Sequence, residues 1–110
     1  MANDDYFKIL FLILNELYGC LKEGKRVNLN DISPSVMKIP DAYWLSIVKN
    51  ACDKGYINGP IFRKTKAGLI AGGLEEMEIT MDGVEYLQEN AQMKKVYSAL
   101  KELRDWIPVF

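Results

Sequence analysis

A mainly helical single domain with one small β-hairpin is the fold class the sequence predicts, and three observations predict it. Apolar residues recur at helical spacing in several separate stretches, glycine, proline or polar breaks part those stretches, and one stretch in the second half switches to strand alternation. With 110 residues, 49 % of them hydrophobic, the chain has the size of one ordinary domain and apolar material for one core. The expected unit is residues 1–110 as a whole, with a wing at about 57–80 and C-terminal helices at about 81–107.

Between Asp5 and Glu23 the pattern is helical: at about 100° per residue, Tyr6, Phe7, Leu10, Ile13, Leu14, Leu17 and Leu21 fall on one broad face. Gly24 supplies the stop. Val27 to Leu29 alternates as a very short strand does. Ser33 and Pro34 form an N-cap and a proline at the first helical position, opening a short helix that Ile39 and Pro40 end. The next helix begins at Asp41, whose charge suits the helix dipole, buries a stripe of Trp44, Ile47, Val48 and Ala51, and stops at Lys54 and Gly55. Tyr56 and Ile57 continue extended through Ile61 and Phe62 into a loop of small and basic residues, Arg63 to Gly73. Met77 and Ile79 alternate with Glu76 and Glu78 as a half-buried strand, so residues 57–62 and 76–80 form the hairpin. Thr80 caps a helix carrying Val84 and Leu87, with Gly83 letting it lie close to the hairpin and Asn90 ending it. Met93, Val96, Tyr97, Leu100 and Leu103 stripe a last helix, which Pro108 stops.

Two helices joined by a tight turn and followed by a hairpin are the parts of a winged helix-turn-helix. The run from Ile79 to Leu87 looks like the junction that follows the wing in many such regulators. Four segments, Trp44 to Ile47, Asp53 to Gly59, Gly83 to Asn90 and Met93 to Lys101, are similar in order and spacing to the YjcQ-like family of small winged-helix proteins from Gram-positive bacteria and their phages. The resemblance runs from Tyr6 to Pro108 and departs most between Thr65 and Gly73. It implies the winged-helix fold and an origin in a bacterial chromosome or prophage, and it brings no catalytic or binding residue with it.

Several function classes are disfavoured by composition. The two cysteines, Cys20 and Cys52, lie far apart with no histidine in the chain to complete a ligand set, so they read as small core residues and no metal or cofactor is expected. The apolar run Ile9 to Leu14 is short and follows two aspartates, unlike a signal peptide, and no span approaches the ~20 apolar residues that cross a bilayer. A cytoplasmic protein without a membrane partner is the expectation. Without a histidine base, a Gly-x-Ser-x-Gly elbow or a phosphate loop, and with Glu75, Glu76 and Glu78 as a solvated strand edge, no enzyme is expected and no small-molecule substrate is identified.

The charge is distributed unevenly around a net value of −1. Residues 25–66 hold Lys25, Arg26, Lys38, Lys49, Lys54, Arg63, Lys64 and Lys66 against Asp31, Asp41 and Asp53, a balance of +5 inside an otherwise acidic chain. The middle third is where an anionic partner is welcome, and duplex DNA is the partner that charge and architecture point to together. On the helix from Asp41 the wheel turns Ser46, Lys49 and Asn50 outward, Asn50 toward adenine, Ser46 toward a base or phosphate and Lys49 toward a phosphate, with Asp53 opposing them. No arginine stands on this helix to fork onto guanine. The wing offers Arg63, Lys64 and Lys66 within four positions, so binding is expected to be carried by charge more than by sequence. The alternative is a protein-interaction adaptor: Leu12 projects from the polar face of the first helix with Phe11 at its border, an interface on which a symmetric homodimer would close. Trp106, Ile107, Val109 and Phe110 add a second apolar end.

Overall fold

Several helix ends fall where a local hydrogen bond replaces one the helix lacks. The computed structural model describes residues 5–90, and its first helix, α1, spans Asp5–Glu23. Beyond it Val27 is buried, but the expected short strand is instead a 3-10 turn at Leu29–Asp31, because the Asn28 side chain accepts from the Asn30 amide and curls the backbone. Ser33 caps the short helix α2, Pro34–Met37, by accepting from the Val36 amide at 3.3 Å. Helix α3, Asp41–Asp53, closes in a Schellman arrangement, Tyr56 N–H to Ala51 C=O at 2.8 Å and Gly55 N–H to Cys52 C=O at 3.0 Å. Trp44, on its buried side, donates from Nε1 to the Ile32 carbonyl at 2.7 Å, tying α3 to the segment before α2.

The hairpin is longer than its sequence implies. Strands β1 (Ile57–Asn58) and β4 (Glu78–Ile79) pair antiparallel with Ile57 opposite Ile79, the two ends the alternation marks. Between them, where a loop from Arg63 to Gly73 is expected, β2 (Ile61–Thr65) and β3 (Gly68–Gly72) form a second antiparallel pair. Lys66 and Ala67 make its turn, secured by Thr65, whose hydroxyl donates to the Gly68 carbonyl and accepts from the Ala67 amide. Gly59 sits where the two pairs meet, at φ +117°, and a side chain there would collide with the Glu76 carbonyl.

Helix α4, Met81–Glu89, starts at Thr80, which accepts from the Gly83 amide and donates to the Gly55 carbonyl. Gly83 does bring this helix close to the hairpin, since a Cβ there would stand 2.5 Å from the Tyr56 carbonyl. The core gathers Ile9, Leu10, Phe11, Ile13, Leu14 and Leu17 of α1 against Trp44, Ile47, Val48 and Ala51 of α3, with Ile57, Met77, Ile79 and Leu87 closing it. The arc α1 buries is therefore wider than the wheel implies, because α3, β4 and α4 all pack on it. Phe7 and Leu21, expected inside, stand at its two ends and are 52 % and 55 % exposed. The expected last helix and the apolar end from Trp106 to Phe110 lie outside the described residues.

The described part is a winged helix: helices α1, α2 and α3 followed by the β1–β4 and β2–β3 pairs as the wing, then α4. Among the described residues no helix is long and apolar enough to cross a membrane.

Candidate nucleic-acid interface

The exposed surface of α3 follows from what the helix buries. With Trp44, Ile47, Val48 and Ala51 inward, Ala42, Ser46, Asn50 and Asp53 are exposed and Lys49 is half-buried. Two of these side chains already have partners. Lys49 Nζ lies 2.9 Å from Asp53 Oδ2, one helical turn on, so the charge of each is offset by the other. Asn50 donates from Nδ2 to the Tyr6 hydroxyl at 2.6 Å, which draws it to the flank of the helix beside α1. There it lines a groove of about 650 Å³ with Tyr6, Phe7, Tyr56 and Tyr86. Burial, with the Tyr56 and Tyr6 phenols close by, pushes the Tyr86 phenol above its ordinary value. Ser46 alone of the three sequence candidates on α3 is exposed with no such bond among the described residues.

The wing divides the three basic candidates that the sequence groups together. Successive strand residues point to opposite faces, and Phe62 packs against the core with Leu69 and Ala71 half-buried on the same side. Lys64, opposite Leu69 in the register, belongs to that inner face near the tip. Arg63 points the other way, opposite Ile70, and Lys66 sits in the turn. All three are exposed, and β3 runs against α3, so the wing and α3 are neighbours.

Lys25 and Arg26 lie beyond α1, across a cleft of about 540 Å³ from Glu75, Glu76 and Glu78. Lys25 also pairs with Glu23 at 2.9 Å, a hydrogen bond that pushes its ammonium above its ordinary value. Burial pushes the thiols of Cys20 and Cys52 up, which keeps both protonated at neutral pH and weak as ligands or nucleophiles. No grouping of acidic and cysteine side chains among the described residues is arranged to hold a metal ion.

One expected interface residue is misplaced by the sequence. Phe11 is 1 % exposed and belongs to the core, so it cannot border a contact surface, and its neighbour Leu12 is half-buried. The reason is the wide arc of α1 described above, which takes in the edge of the wheel where Phe11 lies. Ile61 and Ile70 are 75 % and 52 % exposed on the outward face of the wing, positions that reading residues 63–73 as a loop does not single out. A short apolar run from Leu69 to Ala71, bounded by Gly68 and Gly72, is the signal that marks a strand at Ile70.

Comparison with known proteins gives one consistent result. The profile of the family described as YjcQ protein matches residues 11–106. A Bacillus subtilis (strain 168) protein described as uncharacterized protein YjcQ is 32 % identical over 101 residues, covering 91 % of this chain and 95 % of the relative. No solved structure matches the chain with comparable significance.

Proposed function

From the premise that the chain belongs to the YjcQ family, we propose that it is a DNA-binding winged-helix protein of regulator-like role, carried in a bacterial chromosome or prophage. The observation that carries the reading is the wing: Arg63, Lys64 and Lys66 stand exposed on a two-stranded ribbon beside α3, in the one third of the chain with positive balance. Cations on a protruding ribbon meet backbone phosphates without having to be desolvated first, and each phosphate contact releases counterions from the duplex. Ser46 adds a polar contact from α3, whereas Lys49 and Asn50 contribute only by giving up Asp53 and Tyr6. Fluorescence anisotropy of a labelled duplex, titrated with the wild type and with the triple variant Arg63→Ala, Lys64→Ala, Lys66→Ala, tests the reading. Binding by the wild type at low salt and its loss in the variant support it; equal binding by both removes the wing from the interface.

A second reading, a protein-interaction adaptor, is favoured by the exposure of Phe7 and Leu21 at the two ends of α1. Self-association through these residues replaces the contact expected at Phe11 and Leu12. Sedimentation of the wild type against Phe7→Ser with Leu21→Ser distinguishes a dimer built on that face from a monomer.

A further inference from the structure

The surface of α3 is poorly equipped to read base edges. It has no arginine, its lysine is 2.9 Å from Asp53, and its asparagine is held by Tyr6. The outward face of the β2–β3 ribbon has a different character. Arg63 stands directly opposite Ile70, and Ile61 lies two residues before Arg63 on the same face. Both isoleucines are more than half exposed. Gly68 and Gly72 flank Ile70 along β3, so no side chain from that strand stands over the isoleucine and the arginine.

Phosphate contacts explain the cations of the wing but not two isoleucines held in water beside one of them. Base edges in the major groove explain both. A two-stranded ribbon, its strands about 4.8 Å apart, fits a groove about 12 Å wide. Guanine presents O6 and N7 there in the spacing of a guanidinium fork, and thymine presents a C5 methyl that takes an apolar side chain. Resting on the DNA-binding reading above, we infer that the wing enters the major groove and that Ile61, Arg63 and Ile70 determine sequence preference, Arg63 on guanine and the isoleucines on neighbouring thymine methyls. The positive charge of Lys64 and Lys66 holds the ribbon to the duplex in that position, so the preference comes from the wing and not from α3.

The test begins with selection of preferred duplexes from a randomised pool by the wild-type chain. The preferred duplex is then compared with versions carrying uracil for thymine and 7-deazaguanine for guanine. Guanine flanked by thymine should emerge from the selection, and each base analogue should weaken wild-type binding by roughly five- to a hundredfold. Ile70→Ala should be less sensitive to uracil than the wild type and Ile61→Ala with Ile70→Ala insensitive to it, and Arg63→Lys, which keeps the charge but loses the fork, should be insensitive to 7-deazaguanine while keeping the wild-type salt dependence. These positions are exposed, and circular dichroism verifies that the variants fold. Binding to DNA with no enriched sequence, or an enriched sequence read equally well by the variants, overturns the inference and leaves the DNA-binding reading standing. An absence of binding to any duplex at low salt overturns both.

Discussion

Replacing Trp44 by phenylalanine keeps an aromatic ring in the core and removes one hydrogen bond, which makes it a measure of how α3 is fixed. Trp44 is 3 % exposed, and the Ile32 residue whose carbonyl it meets at 2.7 Å is fully buried. In Trp44→Phe that carbonyl loses its donor in a place water does not reach, at a cost of about 1–3 kcal/mol. The smaller ring also leaves a void where the distal benzo part of the indole was, adding about 1–2 kcal/mol at about 0.8 kcal/mol for each buried methylene equivalent. The expected loss is therefore about 2–5 kcal/mol, close to the ~3–5 kcal/mol of Trp44→Ala, because the larger cavity in alanine admits a water to the carbonyl. At about 4–8 °C per kcal/mol for a domain of this size, the thermal midpoint of the phenylalanine variant should fall by at least about 8 °C. Urea unfolding followed by far-ultraviolet circular dichroism measures the loss without relying on the indole as reporter. A variant within about 0.5 kcal/mol of wild type would refute the bond as a tie between α3 and the segment before α2.

Gly59 and Gly68 share a positive φ, +117° and +122°, but only Gly59 faces the Glu76 backbone. Gly68→Ala should cost about 1–3 kcal/mol from backbone strain alone, and Gly59→Ala distinctly more; equal denaturant midpoints would contradict the close packing where the two strand pairs meet. Asp53→Asn should free Lys49 for phosphate, tightening duplex binding at low salt and steepening its salt dependence by up to about one unit of slope, as measured by anisotropy. In native protein both thiols should react with iodoacetamide at neutral pH more slowly than in the urea-unfolded chain, because burial raises them; equal rates would refute that shielding.

What was legible in the sequence is what neighbouring residues determine. Ser33 and Thr80 announce their helices because a cap bonds an amide three residues away. Trp44, Ile47, Val48 and Ala51 repeat at the helical period, and the pairing of Lys49 with Asp53 is written in their spacing. The burial of Phe11 depends on how many elements surround α1, which periodicity does not encode. The β2–β3 pair has the sequence look of a loop because Arg63, Lys64 and Lys66 have the composition of one, and Lys66-Ala67 lacks the Asn-Gly signature of a two-residue turn. The bond from Asn50 to Tyr6 joins residues 44 positions apart, and it draws aside a side chain of α3 that the wheel alone turns outward.

Titration of the wild-type protein with a generic duplex across a series of salt concentrations shows whether the wing's cations carry the binding. Three exposed cations on the wing, with Ser46 and the helix beside them, correspond to about three to five phosphates, so log affinity should fall with log salt at a slope of about −3 to −5. Removal of Arg63, Lys64 or Lys66 should each flatten that slope by about one. No affinity at the lowest salt, or an affinity indifferent to salt, would rule out duplex binding through the cations of the wing.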